Sequence, residues 1–181
     1  MNSFISLLRG INVSGQKKMR MIELRSLYEA LGLTNVQTYL QSGNVVFDSD
    51  IQNTTKLAII IEKQIELSYG YAVSVFIREA GDLQRLIANN PFLTERNEDA
   101  KSLYVTFLQE RPSPEALHNL TIPLNETGEF IVGEREIFIF VPDGYGRTKL
   151  SNNFFEKKLK MAATTRNWNT VNAVSQMLVN Q

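Results

Sequence analysis

Hydrophobic positions in the first half of the chain follow two spacings, which predict strands alternating with helices. Short apolar or alternating runs predict four strands, at residues 4–8, 36–40, 45–47 and 71–77. Apolar residues recur at helical spacing over residues 21–31 and 57–65. Asn53 is placed to cap the second helix, and Gly70 to end it. The predicted order of strand, helix, strand, strand, helix, strand is that of a ferredoxin-like unit.

The second half of the chain repeats this order of elements. Strands are predicted at residues 103–108, 129–132, 136–141 and 162–165. Ser113 is placed to cap one helix, and Asn152 or Asn153 to cap the next. A terminal helix follows, and its apolar positions predict a buried face. The repeat lies in the order of elements, and no residue-by-residue repeat is visible.

The predicted fold class is therefore α+β, with two ferredoxin-like (βαββαβ) halves, antiparallel sheets, a linking helix and a C-terminal helix. We expect a first lobe at residues 1–78, the linking helix and a linker at 79–100, and a second lobe with the terminal helix at 101–181. The polar stretch at residues 94–100 is the best linker. The sequence leaves open whether the lobes share one core or form two.

Composition excludes several kinds of chemistry and partner. The 181 residues include 19 basic and 19 acidic side chains and no cysteine. A net charge of zero argues against nucleic acid as a partner, and the lack of cysteine excludes disulfides and thiolate catalysis. No apolar run is long enough to span a membrane, so we expect a cytoplasmic protein.

His118, the single histidine, lacks the neighbours that a metal site or a catalytic triad needs. We expect no cofactor, and the oligomeric state stays open.

The first candidate site is the glycine-containing segment after the first strand. Arg9 ends the strand, and residues 10–15 form a loop that includes Asn12 and precedes a helix. Such a loop can offer backbone N–H groups to an anion at the helix N-terminus, and an arginine can bind a phosphate or carboxylate in bidentate fashion. The glycine spacing is neither a dinucleotide fingerprint nor a P-loop. An ordinary flexible turn with solvated lysines explains the segment equally well.

The second candidate is the polar group Gln41, Ser42 and Asn44 between two predicted strands. These side chains can face a ligand, but serine, glycine and asparagine are also the residues that hairpin turns use. The turn interpretation is favoured here.

The third and fourth candidates lie late in the chain. Residues 143–151 contain two glycines and Lys149, and they fit a phosphate cradle or a mobile loop equally well. Residues 164–170 contain Arg166 and Asn167 beside Trp168, the only tryptophan. In that segment a structural interpretation is favoured, with Trp168 as a core anchor and an asparagine as a helix cap.

Four segments of the sequence resemble the domain-of-unknown-function 1697 family, and together they span nearly the whole chain. They are residues 7–13 (LLRGINV), 38–47 (TYLQSGNVVF), 149–151 (KLS) and 164–168 (TTRNW). The resemblance implies a compact α+β protein with ferredoxin-like halves, from a largely bacterial family without an established activity or catalytic residues. One departure is Ser14, where glycine is expected more often.

Three functions remain open, and the first is favoured. It is binding of a small anionic ligand, phosphate-bearing or nucleotide-like, in a cleft between the lobes where Arg9, Lys149 and Arg166 converge. The second is hydrolysis of a phosphoryl or acyl-phosphate group. Small ferredoxin-like enzymes of the acylphosphatase type hold the anion with an arginine and the loop after the first strand, and orient water with an asparagine. By analogy, these would be Arg9, residues 10–15 and Asn44 here. The third is single-stranded nucleic-acid binding, with Tyr39 and Tyr71 on predicted strands stacking against bases.

Overall fold

The structure is a computed structural model that describes residues 1–179 of the chain. Within this range the strands and α-helices follow in the order β1 (Asn2–Leu8), α1 (Met21–Ala30), β2 (Thr34–Tyr39), β3 (Asn44–Ser49), α2 (Thr54–Tyr69), β4 (Val75–Glu79), α3 (Ala80–Ala88), α4 (Pro91–Thr94), β5 (Leu103–Leu108), α5 (Pro114–His118), β6 (Glu129–Val132), β7 (Glu136–Phe140), α6 (Asn152–Leu159), β8 (Ala163–Asn167) and α7 (Trp168–Val179). A single turn of 3₁₀ helix, Ala100–Ser102, precedes β5.

The chain divides into two compact units. Unit 1 comprises Met1–Arg85 and the described residues from Ala173 onward, and unit 2 comprises Leu86–Asn172. The divisions between the units therefore fall within helices α3 and α7. None of the helices in the described residues has both the length and the apolar composition needed to cross a membrane.

Each unit contains one four-stranded antiparallel sheet. The strand order is β2-β3-β1-β4 in unit 1 and β6-β7-β5-β8 in unit 2. This order places the first strand of each βαββαβ set between the third and the fourth, which is the ferredoxin-like arrangement. The predicted α+β fold with two ferredoxin-like halves, a linking helix and a C-terminal helix is confirmed.

Both faces of each sheet are buried at its central strand. In unit 1, Phe4 and Leu8 of β1 pack in a core with the apolar residues of α1 and α2. Ile5 and Leu7 point to the opposite face because side chains alternate along a strand, and they are also buried. In unit 2, β5 shows the same pattern, with Leu108 in the helix-side core and Phe107 buried on the other face. Burial of both faces leaves neither central strand open to solvent.

Helix α2 forms where the sequence predicts it, because it carries clear start and stop residues. The side chain of Asn53 accepts a hydrogen bond from the N–H of Lys56 at 2.9 Å, which caps the first turn. Leu57, Ile61 and Ile65 form the buried face. Gly70 ends the helix in the left-handed conformation at φ 76°, which glycine adopts without a steric penalty.

Two predicted boundaries are wrong. The fourth strand begins at Val75 rather than Tyr71, because its partner β1 ends at Leu8, directly opposite Val75. Helix α6 is capped by Ser151, whose hydroxyl accepts a hydrogen bond from the N–H of Phe154. Asn152 does not cap, because its amide nitrogen donates to the carbonyl of Ala163 at 3.0 Å and so ties the helix to β8.

The polar stretch at residues 94–100 is attached to the sheet of unit 2. The guanidinium of Arg96 pairs with Glu98 at 2.7 Å and with Glu129 of β6 at 2.8 Å. It also lies over the rings of Phe92 and Phe140, at 5.3 and 5.5 Å from their centroids. Arg96 therefore holds this stretch against β6 and β7.

Strand β2, at the edge of the unit 1 sheet, contains a β-bulge. Its pairing register with β3 shifts between Thr34 and Gln37. Asn35, inside the bulge, has a left-handed backbone at φ 50°, and its amide donates to the carboxylate of Asp48 at 2.6 Å. This bond fixes the bulge onto the neighbouring strand.

The two units place an arginine at the same position of their sheets. In unit 1, Arg78 of β4 lies opposite Ile5 of β1, and in unit 2, Arg166 of β8 lies opposite Val105 of β5. Both arginines are buried, at 3% and 8% exposure. The units therefore correspond residue by residue along their central strand pairs, a match that the sequence did not reveal.

Candidate functional site

Asn12 joins the loop after β1 to the turn between β2 and β3. Its amide nitrogen donates to the carbonyls of Met19 at 2.9 Å and Gln41 at 2.8 Å. Its side-chain oxygen accepts a hydrogen bond from the N–H of Met19 at 2.9 Å. Both side-chain polar atoms are thus used by the backbone, and Asn12 connects two segments that carry the family resemblance.

Gly43 allows the same loop and turn to approach each other. Its φ of 78° lies in the left-handed region. A Cβ at this position would meet Ile11 Cδ1 at 2.6 Å and Leu8 Cβ at 2.9 Å. Only glycine fits this geometry, because any side chain would displace the buried Leu8 or Ile11.

The turn between β2 and β3 uses its polar residues mainly for its own geometry. Asn44 is fully buried, and its amide nitrogen donates to the carbonyl of Tyr39 at 2.7 Å and to the hydroxyl of Ser42 at 3.0 Å. Gln41 and Ser42 are exposed. Burial leaves Asn44 unable to contact a solvent molecule in this conformation, which weakens the predicted analogy with a water-orienting asparagine.

The loop after β1 has an unusual concentration of left-handed backbone. Positive φ angles occur at two glycines and three other residues, namely Gly10, Asn12, Ser14, Gly15 and Lys17. Ser14, where the family resemblance leads us to expect glycine, has φ 50°. A hydrogen bond from the N–H of Gln16 to the carbonyl of Val13, at 2.9 Å, closes the tip of the loop.

A groove in unit 1, called the basic groove below, runs beside this loop and has a volume of about 530 Å³. Its lining residues come from the end of β1, the loop, helix α2 and the segment before β4, and are Arg9, Lys17, Ile59, Glu62, Lys63, Glu66, Ala72, Val73 and Ser74. The sequence predicted Arg9, but it gave no signal for Lys63, which looks like any solvated lysine on a helix.

Contacts around the basic groove fix several of these residues. The N–H of Arg9 donates to the carbonyl of Ser74 at 2.9 Å. The ammonium of Lys17 donates to the carbonyl of Ala72 at 2.7 Å. The carboxylate of Glu62 accepts from the N–H of Val75 at 2.8 Å. The loop and the segment before β4 are thus held side by side along the groove.

In unit 2, Lys149 lies in a second recess, called the loop cleft below, with a volume of about 380 Å³. The cleft is lined by Asn125, Glu126, Thr127, Val141, Asp143, Gly144, Arg147, Thr148 and Lys149. The ammonium of Lys149 donates to the carbonyl of Leu124 at 2.7 Å, and its backbone N–H donates to Glu126 at 2.5 Å. The predicted loop at residues 143–151 therefore folds back on the segment before β6.

Arg166 and Asn167 serve the fold of unit 2. A guanidinium nitrogen of Arg166 donates to the hydroxyl of Thr164 at 2.8 Å and to the carbonyl of Thr165 at 3.0 Å. Burial lowers the pKa of Arg166 to about 10. Asn167 accepts a hydrogen bond from the N–H of Thr170 at 2.8 Å, as a cap at the start of α7 does, and Trp168 beside it is buried.

The predicted site residues thus lie in two units. Unit 1 contains Arg9 and the joined pairs Asn12–Gln41 and Ser42–Asn44, whereas unit 2 contains Lys149, Arg166 and Asn167. Convergence of Arg9, Lys149 and Arg166 on one cleft stays a prediction. Among the described residues, no group of three or more acidic or histidine side chains is arranged to hold a metal ion.

The two tyrosines predicted to stack against bases lie in different kinds of segment. Tyr39 ends strand β2 and is half-buried, whereas Tyr71 lies before β4 and its hydroxyl donates to the carbonyl of Lys18 at 2.8 Å. Both faces of the central strands are buried, so they offer no open platform on which bases can stack.

The fold and the site define an α+β protein of two ferredoxin-like units, one of which carries a basic groove beside its first strand. The family described as "Protein of unknown function (DUF1697)" matches residues 1–138, and the chain belongs to this family. A solved structure of a conserved bacterial protein from Streptococcus pneumoniae is similar over 98% of both chains, with 26% sequence identity and a TM-score of 0.75. No curated protein matches the chain.

Proposed function

We propose that the protein binds a small organic anion, bearing a phosphate or carboxylate group, in the basic groove of unit 1. The observation that carries the proposal is that Arg9, Lys17 and Lys63 line one recess although they come from three separate segments. An arginine can bind a phosphate or carboxylate through two parallel hydrogen bonds, and lysines add charge at flexible points around it.

The other residues of the groove suit a small ligand better than a polymer. Glu62 and Glu66 lie among the three cations, so the positive charge is small and local. A polyanion such as nucleic acid gains affinity from many phosphate contacts, which this groove does not offer. Ile59 and Val73 add apolar surface for the organic part of the ligand.

The neighbouring loop supports the position of Arg9. The bond from its N–H to the carbonyl of Ser74 fixes the backbone of Arg9, which lines the groove. Asn12 then holds the following residues against the turn between β2 and β3. A preorganised backbone loses less conformational entropy when the ligand binds, so the entropic cost of binding is smaller.

The test is isothermal titration calorimetry of the full chain with inorganic pyrophosphate, preceded by native mass spectrometry for a retained small molecule. We expect Arg9→Ala to weaken binding at least about tenfold, equivalent to about 1.4 kcal/mol. Lys18→Ala is the matched control, because Lys18 is a cation of the same loop that does not line the groove, and it should change the affinity less than about twofold.

The same titration tests the predicted participation of unit 2. Lys149→Ala should weaken binding only if the ligand also reaches unit 2, and Arg166→Met is informative only where thermal unfolding shows that this buried residue can be replaced without loss of the fold. Absence of saturable binding by the wild-type chain, or an equal loss in the Arg9 and Lys18 variants, would contradict the proposal.

A further inference from the structure

The loop cleft of unit 2 contains a carboxylate that accepts hydrogen bonds from two backbone N–H groups. One oxygen of Glu126 accepts from the N–H of Gly128 at 2.8 Å, and the other accepts from the N–H of Lys149 at 2.5 Å. Thr127 and Thr148 also line the cleft that holds this carboxylate. The donors come from two separate segments, which meet around one anionic group.

Such a set of donors is what proteins use to bind an oxyanion. Backbone N–H groups of neighbouring residues that point at one place form a concave site for phosphate or carboxylate oxygens, and a hydroxyl adds a further donor. The cleft also has two cations in its lining, Arg147 and Lys149. Arg147 is exposed, so its guanidinium is accessible to an anion from solvent.

The other acidic residue of the cleft, Asp143, is hydrogen-bonded to a neighbouring threonine. One carboxylate oxygen of Asp143 accepts a hydrogen bond from the hydroxyl of Thr127 at 2.7 Å. The two cations and two carboxylates of the lining balance each other while Glu126 is in place. Removal of the Glu126 charge leaves an excess of positive charge beside the N–H groups.

We infer that the loop cleft is an oxyanion site occupied by the chain's own Glu126, and that a phosphoryl group binds there by displacing this carboxylate. The inference concerns unit 2 and is independent of the basic groove. It explains why the segment at residues 143–151 has the composition of a phosphate cradle and yet folds around an internal side chain.

The ionisation of Glu126 agrees with this arrangement. Burial acts to raise the pKa of its carboxyl group, but the donors at Gly128, Lys149, Thr148 and Thr127 outweigh burial and lower the pKa overall. The donors therefore favour the charged carboxylate, as they would favour another oxyanion.

An internal occupant weakens the apparent affinity for an external anion. The measured dissociation constant is the intrinsic constant divided by the fraction of molecules in which Glu126 has left the cleft. The wild-type chain should bind inorganic phosphate weakly at this place, and a chain without the carboxylate should bind it more tightly.

The experiment is a titration of the wild-type chain and of Glu126→Ala with inorganic phosphate, followed by NMR of the backbone amides. We expect the amide signals of Gly128 and Lys149 to shift in both, with at least about tenfold tighter binding in Glu126→Ala. The double variant Glu126→Ala/Arg147→Ala should lose most of this gain. Sodium chloride at equal ionic strength serves as the control for general salt effects.

Refolding provides a second readout in case Glu126→Ala is poorly folded. Phosphate should raise its refolding yield and melting temperature, and should do so less for the double variant. A Glu126→Ala chain that binds phosphate no more tightly than wild type, or that phosphate does not help to refold, would overturn the inference.

Discussion

At the scale of a single residue, Gly43 must be glycine for two reasons, its left-handed backbone and its close approach to Leu8 and Ile11, and their energies can be measured separately. We expect Gly43→Ala to lower the free energy of unfolding by about 3 kcal/mol, because a left-handed backbone costs about 1–2 kcal/mol for a residue with a Cβ and crowding against Leu8 and Ile11 costs about 1–3 kcal/mol. The measurement is urea-induced unfolding of the full chain.

Gly15→Ala is the matched control for this prediction. Gly15 has φ 76°, close to that of Gly43, but a Cβ there meets no atom within 4 Å. Its replacement should cost only about 1 kcal/mol, from the backbone term alone. Equal losses in the two variants would show that the approach of Gly43 to Ile11 contributes nothing to stability.

Single residues also show why the sequence identified candidate segments better than it identified roles. For the segments of Asn44 and Arg166 the sequence favours a structural role, but it does not reveal that both side chains are buried. Burial depends on which distant residues pack over a side chain. Lys63 shows the converse, because only the fold brings this ordinary helix residue beside Arg9.

At the scale of elements, Asn12 joins the loop after β1 to the turn between β2 and β3. We expect Asn12→Ala to lower the free energy of unfolding by about 2 kcal/mol, since it removes three hydrogen bonds that each contribute about 0.5–1.5 kcal/mol and are partly replaced by water. Thermal and urea unfolding without ligand would measure this loss.

Asn12→Asp is the informative partner of this variant. Aspartate retains the acceptor for the N–H of Met19 but places a charged oxygen against the carbonyls of Met19 and Gln41, so at neutral pH it should be no more stable than Asn12→Ala. If both variants are as stable as wild type and lose only pyrophosphate binding, Asn12 acts on the ligand rather than on the loop.

Elements with strong local signals could be predicted, and boundaries that depend on partners could not. Asn53 and Gly70 mark the ends of α2 in the sequence, and the helix lies between them. The start of β4 is set by the end of β1, and the alternation of apolar residues continues through Tyr71 and Val73 without a strand partner. The alternation of apolar residues indicates which side chains are buried before β4, but it does not show where hydrogen bonding to β1 begins.

At the scale of the whole molecule, the strand order predicts where backbone amides are best protected from exchange. Strands β1 and β5 are paired on both sides and buried on both faces, whereas β2 and β6 lie at sheet edges. We expect hydrogen exchange followed by mass spectrometry or NMR to be slowest in β1 and β5 and fastest in β2 and β6. Edge strands that exchange as slowly as central strands would contradict this expectation.

The equivalence of the two units is visible in the order of their elements and in their sheet registers, but not in direct sequence alignment. Ser6 and Thr106 occupy equivalent positions, as do Arg78 and Arg166. The offset along the chain is larger for the first pair than for the second, so the connecting segments differ in length. A repeat search at one fixed offset therefore cannot align both pairs.

The bulge in β2 has a consequence for how the protein behaves when it is concentrated. An edge strand with a regular row of N–H and C=O groups can pair with the edge of another molecule and seed ordered aggregates. The register shift between Thr34 and Gln37, with Asn35 tied back to Asp48, breaks the regularity of this row. Straightening of the bulge would therefore promote intermolecular β-sheet growth at an edge that the native chain keeps irregular.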